Sequence, residues 1–297
     1  MTDILIAVFF LLILILVWVI LYDSNRFVIR DYEISDPRIR KPFQAVVLAD
    51  LHNKQYGCRN EKLLTKIDTI SPDIILIAGD ILTARPGESL STAVDLIQSL
   101  AGKYAVYYGN GNHEHRLKLY PETYGSMGEC FSESLDKAGV TLLVNRGISL
   151  PEYGVCITGS QIDRQFYKRF RVQPMAEDYL NRLLGSVDKS LYTILIAHNP
   201  DYFPQYASWG ADLVLSGHVH GGIVRIPFLG KGIASPSIRL FPKYDGGEFR
   251  IQPDSGSEIP EEKNACSRMI VSRGLGMHTI PIRMFNPGEL IVLHFKG

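Results

Sequence analysis

Five of the eight histidines, His52, His113, His198, His218 and His220, each stand just past a short apolar run. Oxygen donors share those places: Asp50 two residues before His52, Asp80 after Gly79, and Asn112 directly before His113. Imidazole nitrogen combined with carboxylate and amide oxygen suits Mn²⁺, Fe or Zn²⁺, and the lack of thiolates argues against a structural zinc site. The stretch SGHVHGG, 216–222, carries the sharpest signal. In extended backbone alternate side chains share a face, so His218 and His220 can approach one ion. Each piece alone has a plainer explanation, since a His after a strand is commonly a hydrogen-bonded loop residue and Gly-Asp or Gly-Asn commonly makes a turn. Their joint occurrence at successive strand ends outweighs it.

A sheet is needed to bring such distant residues together. Residues 43–50, 73–80 and 103–110 read as buried strands, and 58–71 and 91–101 as amphipathic helices between them, with Leu63, Leu64, Ile67 and Ile70 on one face. Strand and helix in alternation imply a parallel sheet covered by helices. The second half repeats the pattern, with LYTILIAHNPDYF placing His198 at one strand end and ADLVLSGHVHGG placing His218 and His220 at another. Ligands of open α/β sheets collect beyond the carboxyl ends of the strands, which is where all these donors fall.

The rest of the chain sets the context. At 297 residues, with 31 basic and 31 acidic side chains, the sequence reads as one globular domain with an appendage, and its neutrality argues against a nucleic-acid partner. The appendage is the uncharged run 4–22, close to the ~20 residues an α-helix needs to cross a bilayer. No Lys or Arg precedes it and its exit lacks small residues at cleavage spacing, so an anchor is expected over a signal peptide. The expected division is an anchor over 1–22, a linker over 23–42 and a catalytic domain over 43–297. Arg26, Arg30, Arg38, Arg40 and Lys41 follow the span, which favours a cytoplasmic domain on a single-pass membrane protein. The widely spaced Cys58, Cys130, Cys156 and Cys266 form no CxxC and read as reduced structural thiols in mostly apolar surroundings.

The series Asp50-x-His52, Gly79-Asp80, Gly111-Asn112-His113-Glu114, Ala197-His198 and Gly217-His218-x-His220 resembles the signature of the calcineurin-like metallophosphoesterases. GHVHGGIVRIP, FPKYDGG and SRGLGMHTIPIR resemble a bacterial, membrane-associated phosphodiesterase branch of that superfamily. The resemblance implies a four-layer α/β/β/α sandwich with two divalent transition-metal ions at one edge, Mn²⁺ ahead of Fe or Zn²⁺. Carried over, Asp50, His52 and His220 hold one ion, Asn112, His198 and His218 the other, and Asp80 bridges them. It further implies in-line attack on phosphorus by a hydroxide held between the ions, with His113 stabilising the transition state and protonating the leaving alkoxide. The expected substrate is a phosphodiester or pyrophosphate, lipid-linked ones included, met at a membrane through the N-terminal helix.

The chain also departs from that family. Thr83 stands where many members carry an Asp that orients the catalytic histidine, Val219 where Thr is common, and Ile223 where Gln is common. Gly288 replaces a usual proline and is expected to matter only to a loop. His115 is expected in an exposed loop, His278 between substrate contact and solvated loop, and His294 in a structural role. The basic, aromatic stretch 161–174 suggests a lid or membrane-facing edge, with a solvated face over the sheet the preferred expectation. A binding or scaffold protein on a degenerate version of the fold would be expected to lack ligands, yet every ligand position is filled. A nuclease would require a basic groove that the sequence does not display.

Overall fold

The strands are apolar on both sides of the pleat, so each can be covered twice. In β2 (Phe43–Leu48), Val46 and Leu48 face one core while Ala45 and Val47 face another. The structure, a computed structural model, describes residues 1–251, 266–277 and 281–297. His278 lies outside the described residues. In the first half, α1 (Thr2–Ser24) and β1 (Phe27–Ser35) precede β2, followed by α2 (Glu61–Ile70), β3 (Ile74–Ala78), α3 (Ser91–Ala101) and β4 (Ala105–Gly109). Then come α4 (Asn112–Leu119), α5 (Pro121–Tyr124), α6 (Met127–Lys137) and β5 (Thr141–Leu143). The second half has β6 (Arg146–Leu150), β7 (Val155–Ser160), α7 (Tyr179–Leu184), β8 (Tyr192–Ala197), α8 (Phe203–Trp209) and β9 (Leu213–Ser216). It closes with the short pair β10 (Arg225–Ile226) and β11 (Lys231–Gly232), then β12 (Gly247–Ile251), β13 (Ser267–Val271) and β14 (Gly288–Lys296).

Among the described residues two six-stranded sheets result, ordered β1-β14-β2-β3-β4-β5 and β12-β13-β9-β8-β7-β6. The strands that carry the histidines run parallel within each sheet, so their carboxyl ends share an edge. Ala45, Val47, Leu76 and Ala78 of one sheet pack with Ile157, Ile194, Ile196 and Leu215 of the other, forming the central core. Leu63, Ile67, Leu96 and Phe131 cover the outer face of the first sheet, and Leu180, Phe203 and Tyr206 that of the second. This is the α/β/β/α sandwich.

The stretch 23–42 is no linker. Phe27–Ser35 forms β1, paired in parallel with β14 from Phe27↔Gly288 to Ser35↔Lys296, and Ile34 and Ile39 are buried. Its charges, Arg30, Asp31 and Glu33, hid the strand pattern, although charged side chains are what an edge strand carries. Only Asn25 and Arg26 separate α1 from β1. The buried Ser24 hydroxyl accepts a hydrogen bond from the Arg283 N–H at 3.2 Å, and the Asp23 carboxylate accepts one from the Asn286 N–H at 3.2 Å. The helix itself is long and apolar enough to cross a membrane, and its apolar residues are exposed.

Smaller expectations shift as well. Gly288 opens β14 and is held by packing: a Cβ there would sit 2.4 Å from the Tyr56 hydroxyl, and its N–H donates to the Arg26 carbonyl. Neither feature tolerates proline. Cys58 and Cys130 are exposed free thiols on the surface, where the sequence pattern suggested apolar surroundings. His115 lies half-buried on α4 instead of in a loop, and His294 bridges Gln44 and Asp31 in a structural role.

Candidate metal centre

Three of the five donor loops leave their strands through backbone that L-residues avoid. Asp50, His52, Asp80, His218 and His220 all have positive φ, between 48° and 72°. That conformation costs roughly 1–2 kcal/mol per residue, and cross-loop hydrogen bonds hold it in place. The Asp50 N–H donates to the Gly79 carbonyl, the His52 N–H to the Asp80 carbonyl, and the His218 N–H to the Asp50 carboxylate. Gly79, with φ 86°, permits two donor loops to pass close together, since a Cβ would lie 2.4 Å from the Gly111 nitrogen.

The structure brings every sequence-predicted donor to this one edge. Donor atoms of Asp50, His52 and His220 lie within 4.8 Å of one another, as do those of Asp80, His198 and His218, and those of His52, Asp80 and His113. Asp80 and His52 each belong to two of these groups, so the three groups form one continuous cluster. The Nε2 atoms of His52 and His220 stand 3.1 Å apart, and the His198 Nε2 is 3.0 Å from Asp80 Oδ2 and 3.7 Å from Asp50 Oδ1. The Asn112 side chain completes the set: its Oδ1 is buried and, among the described residues, accepts no hydrogen bond.

The electrostatics state the same need twice. Burial pushes the Asp50 carboxyl up to about 7, against the pull of the His198 imidazole. Burial also favours a neutral His198, yet the Asp80 and Asp50 carboxylates carry it up to about 10. Burial and the neighbouring His198 push His218 down to about 3. For Asp80 burial is outweighed by the charge and hydrogen bond of the His198 imidazole, which hold its carboxyl well below the usual range. A buried carboxylate that resists ionisation beside an imidazole forced to carry charge indicates a place that lacks positive charge. The donor chemistry, the spacing and the orphaned amide oxygen fit a pair of divalent ions.

Three supporting residues were not legible as such. Glu114 is fully buried and accepts from the N–H groups of Asp80, Ile81 and Gly111 and from the Tyr108 hydroxyl, tying two donor loops together. Thr83 contacts His52, Oγ1 to Nδ1 3.3 Å, and not His113. His113 takes its orientation from the backbone: the Ala84 N–H donates to its Nδ1 at 2.8 Å. A backbone amide cannot be seen in a motif, which is why Thr83 read as an unfilled role.

A cleft of about 660 Å³ opens over the cluster, walled by Asp80, Asn112, His113, His218 and His220 and by the cations Arg116, Arg164, Lys168 and Arg169. The stretch 161–174 supplies much of that wall, so the expected solvated face is corrected. Ile162 and Phe166 are buried, and the Tyr167 ring packs edge-on to His218 at 5.2 Å between centroids. A single 3-10 turn, Arg164–Tyr167, directs aromatics inward and cations into the cleft, a period that neither helix nor strand templates detect.

Residues 43–222 match the calcineurin-like phosphoesterase family. The chain is 26% identical over 273 residues to the uncharacterized metallophosphoesterase Cj0846 of Campylobacter jejuni, covering 91% of this chain and 63% of that protein. It is 29% identical over 266 residues to the uncharacterized metallophosphoesterase YkuE of Bacillus subtilis, covering 86% and 79% respectively. It is 27% identical over 198 residues to the phosphodiesterase YaeI of Escherichia coli, covering 65% of this chain and 66% of that one.

Proposed function

This chain belongs to the calcineurin-like phosphoesterases, and from that premise we propose that it is a membrane-anchored, two-metal phosphodiesterase. The observation that carries the reading is one continuous cluster of donor groups, with Asp50, His52 and His220 at one end and Asp80, His198 and His218 at the other, joined by the approach of His52 to Asp80 and flanked by the orphaned Asn112 Oδ1. Mn²⁺ is the favoured ion, because oxygen and imidazole donors without thiolate suit it. When bound, such a pair supplies Lewis acidity to the phosphoryl oxygens and a nucleophile at neutral pH. The similarity to the phosphodiesterase YaeI supports a diester over a monoester.

The chain's own residues do the remaining work. Arg116, Arg164, Lys168 and Arg169 along the cleft neutralise phosphate oxygens. His113 lines the same cleft, and with its Nδ1 accepting from Ala84 the neutral ring carries its proton on Nε2. Protonating Nδ1 would forfeit that bond, so the ring is set up as a neutral hydrogen-bond donor that stabilises charge on the phosphoryl group. The α1 helix anchors the domain, and the cations after it favour the cytoplasmic side. Arg38 adds little to that bias, since it is committed to Asp36 and Asp212 within the fold.

The test is metal content and hydrolysis together. The protein loaded with Mn²⁺ is expected to hold two ions by elemental analysis and to cleave bis(p-nitrophenyl) phosphate. Asp80→Ala is expected to lower both, with activity down ~10³-fold or more. A protein that binds no metal and gains no activity on adding Mn²⁺, Fe²⁺ or Zn²⁺ would end this reading.

A further inference from the structure

A second cavity, of about 170 Å³, lies behind the metal centre and is apolar where the cleft is charged. Ile223, Ala234, Ile238, Met277 and Ile282 line it. It shares His220, Arg169 and Pro236 with the charged cleft, so the two volumes meet at a proposed ligand. Arg283 also lines it, and the Arg283 backbone N–H donates to Ser24 at the end of α1. The apolar cavity therefore borders both the charged cleft and a residue bonded to the end of the anchor helix.

The turns that flank the cavity's lining residues in sequence are unusual in the same sense. Phe170, Phe228, Leu229 and Leu240 are each more than two-thirds exposed, and Ile238 and Phe241 more than half. Phe170, Phe228, Ile238 and Phe241 occupy positive-φ positions, 48° to 70°, where Gly or Asn is the ordinary choice. Bulky apolar side chains at the tips of tight turns cost stability and solubility in water, and a lipid surface removes the second cost. Hydrogen bonds tie these turns to the neighbours of cavity-lining residues: the Phe170 N–H donates to the carbonyl of Ser237, between Pro236 and Ile238, and the Phe241 N–H to the carbonyl of Ile233, next to Ala234. The β10–β11 hairpin that carries Phe228 is bonded through Arg225 to Met284, one residue from Arg283.

We propose that this cavity takes the hydrocarbon chain of an amphiphilic phosphodiester drawn from the bilayer to which α1 is anchored, with the phosphate held over His220 and Arg169. The inference rests on the phosphodiesterase reading and names its substrate class. In size the cavity resembles the engineered ~150 Å³ cavity that holds benzene, so it takes about six carbon atoms. Each methylene moved from water into such a site multiplies binding by about fourfold. The anchor, the apolar turns, the cavity and the cationic cleft then follow one another in the order of a lipid's own parts: bilayer, chain and phosphate.

The experiment uses the full chain in phosphatidylcholine nanodiscs with Mn²⁺, and compares kcat/KM for methyl, butyl and hexyl p-nitrophenyl phosphate at matched free concentration. We expect kcat/KM to rise by at least ~10-fold from methyl to hexyl. Ala234→Phe, which fills the cavity, is expected to reduce that gain to less than about threefold. Methyl and hexyl esters cleaved equally well by the unaltered protein would overturn the inference while leaving the phosphodiesterase reading intact. Cleavage of none of the esters would overturn both. In a Trp18→Phe, Trp209→Phe background, Leu229→Trp is expected to be quenched by bromine-labelled acyl chains, and an unquenched, water-exposed indole would remove the bilayer as the source of the chain.

Discussion

The metal centre and the apolar cavity meet at His220 but are built by different means. The centre is assembled from the ends of five strands in two sheets, with each turn held by hydrogen bonds to its neighbour. The cavity is walled chiefly by residues between 220 and 238 and by Gly276, Met277, Ile282 and Arg283, where among the described residues the pairing consists of the two-residue strands β10 and β11 and isolated bridges. A reacting centre must hold its donors to fractions of an ångström, and a packed sheet edge can do so. A surface that receives a flexible chain needs only the right shape and polarity. Rate and chain-length preference are therefore expected to respond to different substitutions.

Glu114→Ala sharpens that comparison with the largest effect. It removes the acceptor for the Asp80, Ile81 and Gly111 N–H groups and the Tyr108 hydroxyl, all buried. Each orphaned donor costs about 1–3 kcal/mol, part of it relieved by relaxation. We expect a loss of about 3 kcal/mol in denaturant unfolding and a fall of ~10³-fold in kcat/KM, as the bridging carboxylate moves. Because Glu114 is remote from the cavity, the hexyl-to-methyl ratio should stay within about twofold. A changed ratio would mean the two regions are not separable.

His113→Ala is the next effect in size. Metal content should be retained and kcat/KM should fall ~10²-fold, the scale of one lost donor at a developing charge. The Ala84 hydrogen bond sets the ring as a neutral donor, so the loss should be similar for a p-nitrophenolate and for an alkoxide leaving group. A much larger loss with the alkoxide would show proton delivery instead. As for Glu114, the hexyl-to-methyl ratio should not move.

The same division governs what could be read from the chain. The strand ends were legible because apolar runs and the following Asp, His and Asn residues are local patterns, and the parallel sheet brings them together whatever lies between. The edge strand β1 was not, since Arg30, Asp31 and Glu33 on its exposed side imitate a linker. The orientation of His113 was not, since its partner is the main chain of Ala84 and any residue provides an N–H. The cavity was least legible: Ile223, Ala234, Met277 and Ile282 belong to no periodic segment, and only long-range turns make them neighbours. The exposed phenylalanines at positive φ were hidden for a related reason, because a turn residue with the wrong chemistry is read as part of a strand or a loop core.

Asn286 touches both regions without being a donor of the metal centre or lining the cavity, and it supplies the smallest and most discriminating test. It is fully buried, and its Nδ2 donates to the carbonyls of His220, at 2.8 Å, and Ile223, at 3.2 Å. Those two residues both have positive φ, and one belongs to the metal centre while the other lines the cavity. Asn286→Ala leaves both carbonyls without that donor, so the turn from 220 to 223 is free to relax. A displaced His220 is expected to weaken metal binding by about 10-fold, the lower end for loss of a partner that orients a ligand. A displaced Ile223 is expected to halve the hexyl-to-methyl ratio or more, at about fourfold per methylene no longer buried. Raising Mn²⁺ should then recover the rate on the methyl ester without recovering the ratio. Recovery of both would mean that the cavity takes its shape from the occupied metal centre and that the two regions are a single device.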